Sequence, residues 1–501
     1  MSDTIALLNM DLVRIDPAWA LKVPAALALR RMVLPFAHFD GRVHVACADP
    51  NDASAFEAVE RFTGQKALAA PAERESLQRA LTRVYSDAPR PSARSAPSAA
   101  GQRASARALD AGDDAVALSE EILHAAIIRR ASDIHIEPGR DALRVRFRVD
   151  GQLEEFHSFP PSVEAGLVSR LKVRAGMDIA EKRAPQDGGF THKSGALEHS
   201  RGIDIRAATL PTKYGERMTL RLLGLQTGTL SLENLGMLDG HLRGMEHVLD
   251  QPHGLLLLTG PTGSGKTTTL YAAIQRLLQH SALNIITVED PVEYELAGVS
   301  QVEVDSAEKV SFTKALRSLL RHDPDVVMIG EIRDADTLDV AVKAALTGHL
   351  VLSTLHTNSA AGAVTRLEDL GLEAFMIAAT LRLSAAQRLV RRLCPHCRKP
   401  RALTEVEAVA LGCRDAVGET VCEPGGCLYC AGKGWAGRIG FFELLRIDTA
   451  YANLISRKAS EGELIAAMQE RGIPLLLDDA RAKILAGETT LREGLQAVAL
   501  Y

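Results

Sequence analysis

Along residues 143–149, Leu-Arg-Val-Arg-Phe-Arg-Val, apolar and charged positions alternate without a break. Leu143, Val145, Phe147 and Val149 form one face, and Arg144, Arg146 and Arg148 the other, which predicts a half-buried strand. Asp150-Gly151 then predicts a two-residue hairpin turn. Two further alternating stretches, Ile203–Ala207 and Met218–Leu222, extend this module, and Ile122, Leu123, Ala126 and Ile127 predict a helix from Ser119 through Arg130 ahead of it. Earlier in the chain, Val43–Cys47 predicts a strand, followed by the turn Ala48-Asp49-Pro50-Asn51 and a helix through Phe62. The pattern changes after residue 250. LLLLT (255–259), NIITV (284–288), VVMIG (326–330) and LVLST (350–354) are uninterrupted apolar runs between helical stretches, the pattern of a parallel sheet covered on both faces. Past Leu393 the chain turns cysteine-rich and then helical. Capping boxes are expected at Ser460…Glu463 and Thr490…Glu493, with Gly472 and Gly487 as stops. There is no short tandem repeat.

Residues 86–112 are rich in Ser, Ala, Pro and Arg and have almost nothing to bury. They read as a flexible tether spanning on the order of 30 Å, which would let residues 1–85 move independently. At 501 residues the chain is too long for one core. A net charge of −5 offers no general attraction to nucleic acid or to an anionic bilayer. No apolar run approaches the ~20 residues that span a membrane, and no cleavable signal pattern opens the sequence, so a cytosolic location is expected.

The run Leu255–Leu258 leads into Gly260-Pro261-Thr262-Gly263-Ser264-Gly265-Lys266-Thr267-Thr268, which fits G-x-x-x-x-G-K-[ST]. Glycines let successive N–H groups turn inward on a polyphosphate, and the helix starting near Lys266 aims its positive end at the same anion. Lys266 is suited to the β- and γ-phosphates and the Thr267 hydroxyl to Mg²⁺, so ATP and Mg²⁺ are the expected ligands. The strand Asp325–Glu331 ends in Gly330 where many such ATPases carry a Mg²⁺-binding Asp. Glu331 is then the candidate to orient or deprotonate water; the alternative is a surface acid at a strand end. Glu289-Asp290-Pro291-Val292-Glu293 closes another strand at the same sheet edge and offers acids for the Mg²⁺ water shell, though such a run also suits a solvated turn. His349 and His356 flank the fourth strand, where a histidine is either a capping residue or a contact for the γ-phosphate.

Cys394-x₂-Cys397 and Cys427-x₂-Cys430 account for four of the seven cysteines. Four thiolates would hold Zn²⁺ tetrahedrally in a closed, structural site; redox-active pairs are the alternative. His396, Cys413 and Cys422 lie nearby as bystanders.

GPTGSGKTTTLY, TVEDPVEYE, LRHDPDVVMIGEIRD and TGHLVLSTLHTN, in this order, resemble the Walker A, Asp box, Walker B and His box of the secretion ATPase superfamily that powers type II secretion and type IV pilus assembly. The resemblance takes in ASDIHIEP (131–138), RFRVDG (146–151), LPTKYGER (210–217), the cysteine pairs and GRIGFFELL (437–445), covering nearly everything from residue 113 onward. Residues 1–85 more loosely resemble the family's N-terminal domain. The resemblance implies an α/β fold: a RecA-like P-loop core (241–390), a smaller α+β domain (113–224), an N-terminal platform-docking module (1–85), linkers at 86–112 and 225–240, a tetracysteine zinc subdomain (391–440) and a helical C-terminal region (441–501). It also implies that Arg206 and Arg221 close onto the triphosphate, with Arg317 and Arg321 as weaker candidates at a subunit interface. The function implied is a hexameric ATP-hydrolysing motor that drives pseudopilus assembly in type II secretion, the alternative being type IV pilus extension. Its implied partners are copies of itself, the cytoplasmic domain of an inner-membrane platform protein bound through 1–85, and a polytopic platform protein, with no nucleic acid. The motor would thus attach peripherally to the bacterial inner membrane.

Overall fold

The computed structural model describes residues 7–85, 113–193, 202–224, 230–280, 282–304 and 312–498; the expected tether 86–112 and residues 225–229 of the second linker lie outside them. The chain divides into two units, one of residues 1–227 with 425–434, the other of residues 228–424 and 435–501.

In the first unit, strands Val33–Phe39, Arg42–Cys47 and Ala67–Pro71 form a small mixed sheet, with helices Ala53–Thr63 and Arg74–Tyr85 contributing to its core. The expected strand and helix of this module are both present. A second, six-stranded antiparallel sheet runs in the order Gln152–Phe159, Leu143–Val149, Asp133–Pro138, Gly215–Leu222, Ile203–Thr212, Gln186–His192. Along 143–149 the four apolar residues are buried and the arginines are not. Asp150 and Gly151 both take positive φ (49° and 83°), the backbone a two-residue hairpin needs. The helix packed on this sheet begins at Asp113, not at the expected Ser119. Ser119 donates its hydroxyl back to the Val116 carbonyl at 2.8 Å, a local bond inside a helix that does not start one. Ion pairs Arg14–Glu154 (2.9 Å) and Arg129–Asp16 (2.8 Å) join the two modules, and Ile128 enters the N-terminal core, so the tether is not the only attachment of residues 7–85.

The second unit is built on a seven-stranded sheet ordered Ser300–Glu303, Ile285–Glu289, Val326–Ile329, Leu350–Leu355, Gly254–Thr259, Leu381–Leu393, Trp435–Arg446. All neighbours are parallel except the last pair. The four expected apolar strands lie in its middle, and helices on both faces close two apolar cores. This is a RecA-like P-loop core, in which the His-box strand separates the P-loop strand from the Walker B strand. The helical tail starts where the caps foretell. Ser460 and Glu463 form a reciprocal box, and Gly472 and Gly487 take positive φ (65° and 68°) after their helices. Thr490 caps the Glu493 amide, but the Glu493 carboxylate leaves the box to pair with Arg391 at 2.6 Å.

Candidate active site

The P-loop strand Gly254–Thr259 is buried throughout, and beyond it the chain turns through 260–265 into helix Lys266–His280. Gly260, Gly263 and Gly265 all take positive φ. A Cβ on Gly260 would lie 2.4 Å from the Gln387 carbonyl oxygen, so this glycine is required by close approach of strand Leu381–Leu393 as well as by its turn. Lys266 is 9% exposed and donates to the carbonyls of Gly260 (2.7 Å) and Pro261 (3.1 Å). Burial pushes its pKa down from 10.5 to about 8; the Glu331 charge opposes the shift and the Arg388 charge adds to it.

Glu331 follows the Walker B strand, half-buried between Arg333, whose guanidinium its carboxylate pairs with, and His356, whose Nε2 is 3.4 Å from Oε2. That bond holds the Arg333 pKa up. Glu331, His356 and Lys266 therefore gather at one end of the parallel sheet, beside the phosphate cradle. A carboxylate held between a cation and an imidazole there is placed to orient water.

Glu289 points elsewhere. It is 2% exposed, and its carboxylate accepts from Tyr271, from Thr287 Oγ1 (2.6 Å) and from Gln301 Nε2 (3.1 Å). Burial and the Glu289 charge hold the Tyr271 phenol well above its usual pKa. The Glu293 amide donates to the same Tyr271 oxygen at 3.3 Å. This buried, fully engaged carboxylate pins the Asp box to the P-loop helix, whereas Asp290 is exposed.

His349 is also displaced from the expected site. In the parallel register Gly254 pairs with Leu350 and Thr259 with Leu355, so His349 lies at the sheet edge opposite the P-loop. Its carbonyl accepts from the Gly254 amide at 3.1 Å, and its Nδ1 lies 3.0 Å from the Ala344 carbonyl oxygen. Six strand residues at ~3.3 Å each put about 20 Å between it and His356, so one phosphate cannot meet both within a chain. His349 closes the end of helix Ala335–Leu346, the capping role weighed against it in the sequence.

Arg206 and Arg221 face each other across paired strands of the six-stranded sheet, both on its polar face, and Arg221 pairs with Asp133 at 3.0 Å. Arg317 is exposed; Arg321 donates to the Arg317 carbonyl at 3.0 Å. Sequence reasoning missed Gln387 and Arg388, both buried on strand Leu381–Leu393. Gln387 accepts from Thr269 of the P-loop helix at 2.9 Å, and Arg388 donates to the Asn358 carbonyl at 2.8 Å. Two polar residues inside an otherwise apolar run, Ser-Ala-Ala-Gln-Arg-Leu-Val, were the available signal, since buried polar groups need partners.

Ligand atoms of Cys394, Cys397, Cys427 and Cys430 all lie within 4.8 Å of one another, and the Cys427 and Cys430 sulfurs are 3.8 Å apart. A tetrahedron with Zn–S bonds of about 2.3 Å has edges of about 3.8 Å, so the set fits Zn²⁺. The Gly434 amide, 3.1 Å from Cys430 Sγ, adds a donor suited to a thiolate. Cys413 packs on a separate small core that includes Val421, next to Cys422.

The model of the type II/IV secretion system protein family matches residues 110–496, and that of the MshEN domain matches residues 5–91. The chain is 48% identical over 386 residues to type II secretion system protein E of Pseudomonas aeruginosa, covering 77% of this chain and 76% of that protein. To type II secretion system ATPase E of Vibrio cholerae it is 44% identical over 387 residues, covering 77% and 76%. Among solved structures, the pilus retraction motor PilT with bound ADP superposes with a TM-score of 0.52 at 27% identity, covering 75% of this chain and 96% of that one. The Legionella pneumophila ATPase DotB superposes with a TM-score of 0.57 at 22% identity, covering 77% and 96%, and shares the fold.

Proposed function

The chain belongs to the type II/IV secretion system protein family and is an ATPase motor of type II secretion, and on that footing we propose how its residues divide the work. The observation that carries the reading is the gathering of Lys266, Glu331 and His356 at the P-loop end of one parallel sheet. Amides of 262–265 and the start of the P-loop helix cradle the triphosphate, with Thr268 beside Thr267 in its first turn, and Lys266 exchanges its carbonyl partners for phosphate oxygens. Glu331 orients the attacking water and accepts its proton, and His356 fixes the Glu331 carboxylate. Thr267, with Asp290 and Glu293 of the Asp box, would hold Mg²⁺, which supplies charge neutralisation on the phosphates when bound. Arg206 and Arg221 complete the site when the α+β domain closes on it. A site completed by closure suits a hexamer working through domain rotation.

Zn²⁺ on the four cysteines is structural and takes no part in hydrolysis. No helix among the described residues is long and apolar enough to cross a membrane. We assign attachment at the bacterial inner membrane to residues 1–85 binding the cytoplasmic domain of a platform protein, with the polytopic platform protein as the motor's further partner. Replacing the chromosomal gene with its Glu331→Gln form tests the reading. Export of type II substrates should stop with the protein present at normal level. Normal export with lost piliation would instead assign the motor to pilus extension.

A further inference from the structure

The loop that begins at His356 is anchored from two sides. On the P-loop side, Thr259 Oγ1 donates to the Ser359 carbonyl at 3.4 Å and Arg388 Nη2 to the Asn358 carbonyl at 2.8 Å. On the other side, the Ala360 amide donates to Glu443 Oε1 at 2.7 Å. The second oxygen of the same carboxylate, Oε2, accepts from the Leu476 amide at 3.2 Å, the first residue of helix Leu476–Leu485. Ser359 Oγ is bonded to Glu461, the first residue of helix Glu461–Glu470, and accepts from the Gly362 amide at 2.8 Å. Glu443 is 5% exposed, so both bonds are made out of water, where losing one leaves a buried donor unpaired.

The His356 side chain is 53% exposed, so little packing holds its ring. Its place 3.4 Å from Glu331 is therefore set by the backbone of the loop it opens, and that backbone is fixed four residues later by Glu443. We propose that Glu443 is a positioning residue for hydrolysis: by tying the Ala360 amide to the first turn of helix Leu476–Leu485, it holds His356 against Glu331. The C-terminal helices are then part of the catalytic machinery, because two of them start on the loop that aims the catalytic pair. This inference rests on the proposed role of His356 and Glu331.

The test is a double-mutant cycle on the full-length protein. Steady-state ATPase and binding of a fluorescent ATP analogue are measured for Glu443→Gln, His356→Ala and the double variant. The amide keeps one acceptor and turns an NH₂ toward the other N–H. Glu443→Gln should lower kcat about tenfold to a hundredfold, as small misplacements of catalytic groups do, with KM and analogue Kd within about threefold. In the His356→Ala background the same change should cost less than about twofold, because the residue it positions is gone. An equal loss in both backgrounds would make Glu443 a structural brace and overturn the proposal. Unchanged kcat in His356→Ala alone would overturn the His356 assignment, and the inference with it. If Glu443→Gln does not fold, Glu461→Gln carries the same cycle through Ser359, and additivity there has the same meaning.

Discussion

Replacing the P-loop lysine should stabilise the nucleotide-free protein while abolishing turnover. Lys266 is 9% exposed and faces Gly260 and Pro261 carbonyls, and its pKa falls from 10.5 to about 8. At about 1.4 kcal/mol per tenfold, that drop is a penalty of roughly 3 kcal/mol for keeping the buried amine charged. Lys266→Met removes the penalty and keeps the stem packing, but forfeits two bonds worth about 1 kcal/mol each in neutral form. A net gain of about 1 kcal/mol remains, which raises the Tm of a unit this size by about 2–4 °C. The pH dependence carries a sign of its own. Between about pH 8 and 10.5 the unfolded chain holds a proton on Lys266 that the folded chain has released, so wild-type stability rises with pH across that window. Below about pH 8 the penalty is present in full. Calorimetry of both proteins from pH 7 to 10 should show the Met variant melting higher at pH 7 and the gap narrowing as pH rises. A lower Tm for Lys266→Met at pH 7, or parallel pH dependences, would refute the reasoning.

His349→Ala removes a helix-end contact about 20 Å from the phosphate cradle. It should cost about 0.5–1.5 kcal/mol of stability and leave kcat within about threefold; an ATPase assay beside a melting curve checks both. Purified protein should hold about one Zn²⁺ per chain by elemental analysis, released by thiol-blocking reagents with loss of thermal stability, and a metal-free protein with a Cys394–Cys397 disulfide would end that reading. Arg206 and Arg221 lie on the polar face of their strands, so Arg206→Ala should cost under about 0.5 kcal/mol, whereas Arg221→Ala also takes the closest cation from the buried Asp133 carboxylate and should cost about 1–3 kcal/mol. Each should lower kcat by about tenfold to a thousandfold in a steady-state assay, and wild-type kcat in both would remove the closure mechanism.

What could be read from the sequence was what a local pattern dictates. The alternation of 143–149, the Asp150-Gly151 turn, the four apolar strands and the Ser460–Glu463 box each follow from neighbours within one element. The sheet edges and the order of its strands do not. Strand Leu381–Leu393 mixes buried leucines with Gln387, Arg388 and Arg391, whose partners lie as far as 118 residues away, so no local period marks it. His349 illustrates the same limit at the site. It and His356 are close in sequence, but a parallel strand places its two ends on opposite edges of the sheet, and only one edge carries the P-loop. Glu289 looked available in a run of acids until Tyr271, Thr287 and Gln301 closed around it.

The central claim is that this chain hydrolyses ATP at its own P-loop with Glu331 as the group that activates water. The most direct measurement is turnover and nucleotide binding by purified wild type and Glu331→Gln side by side. The change keeps the shape and removes the base, so ATP affinity should stay within about threefold while kcat falls at least about a hundredfold. Near-normal hydrolysis by Glu331→Gln would contradict the account and move the catalytic role to an acid of the Asp box.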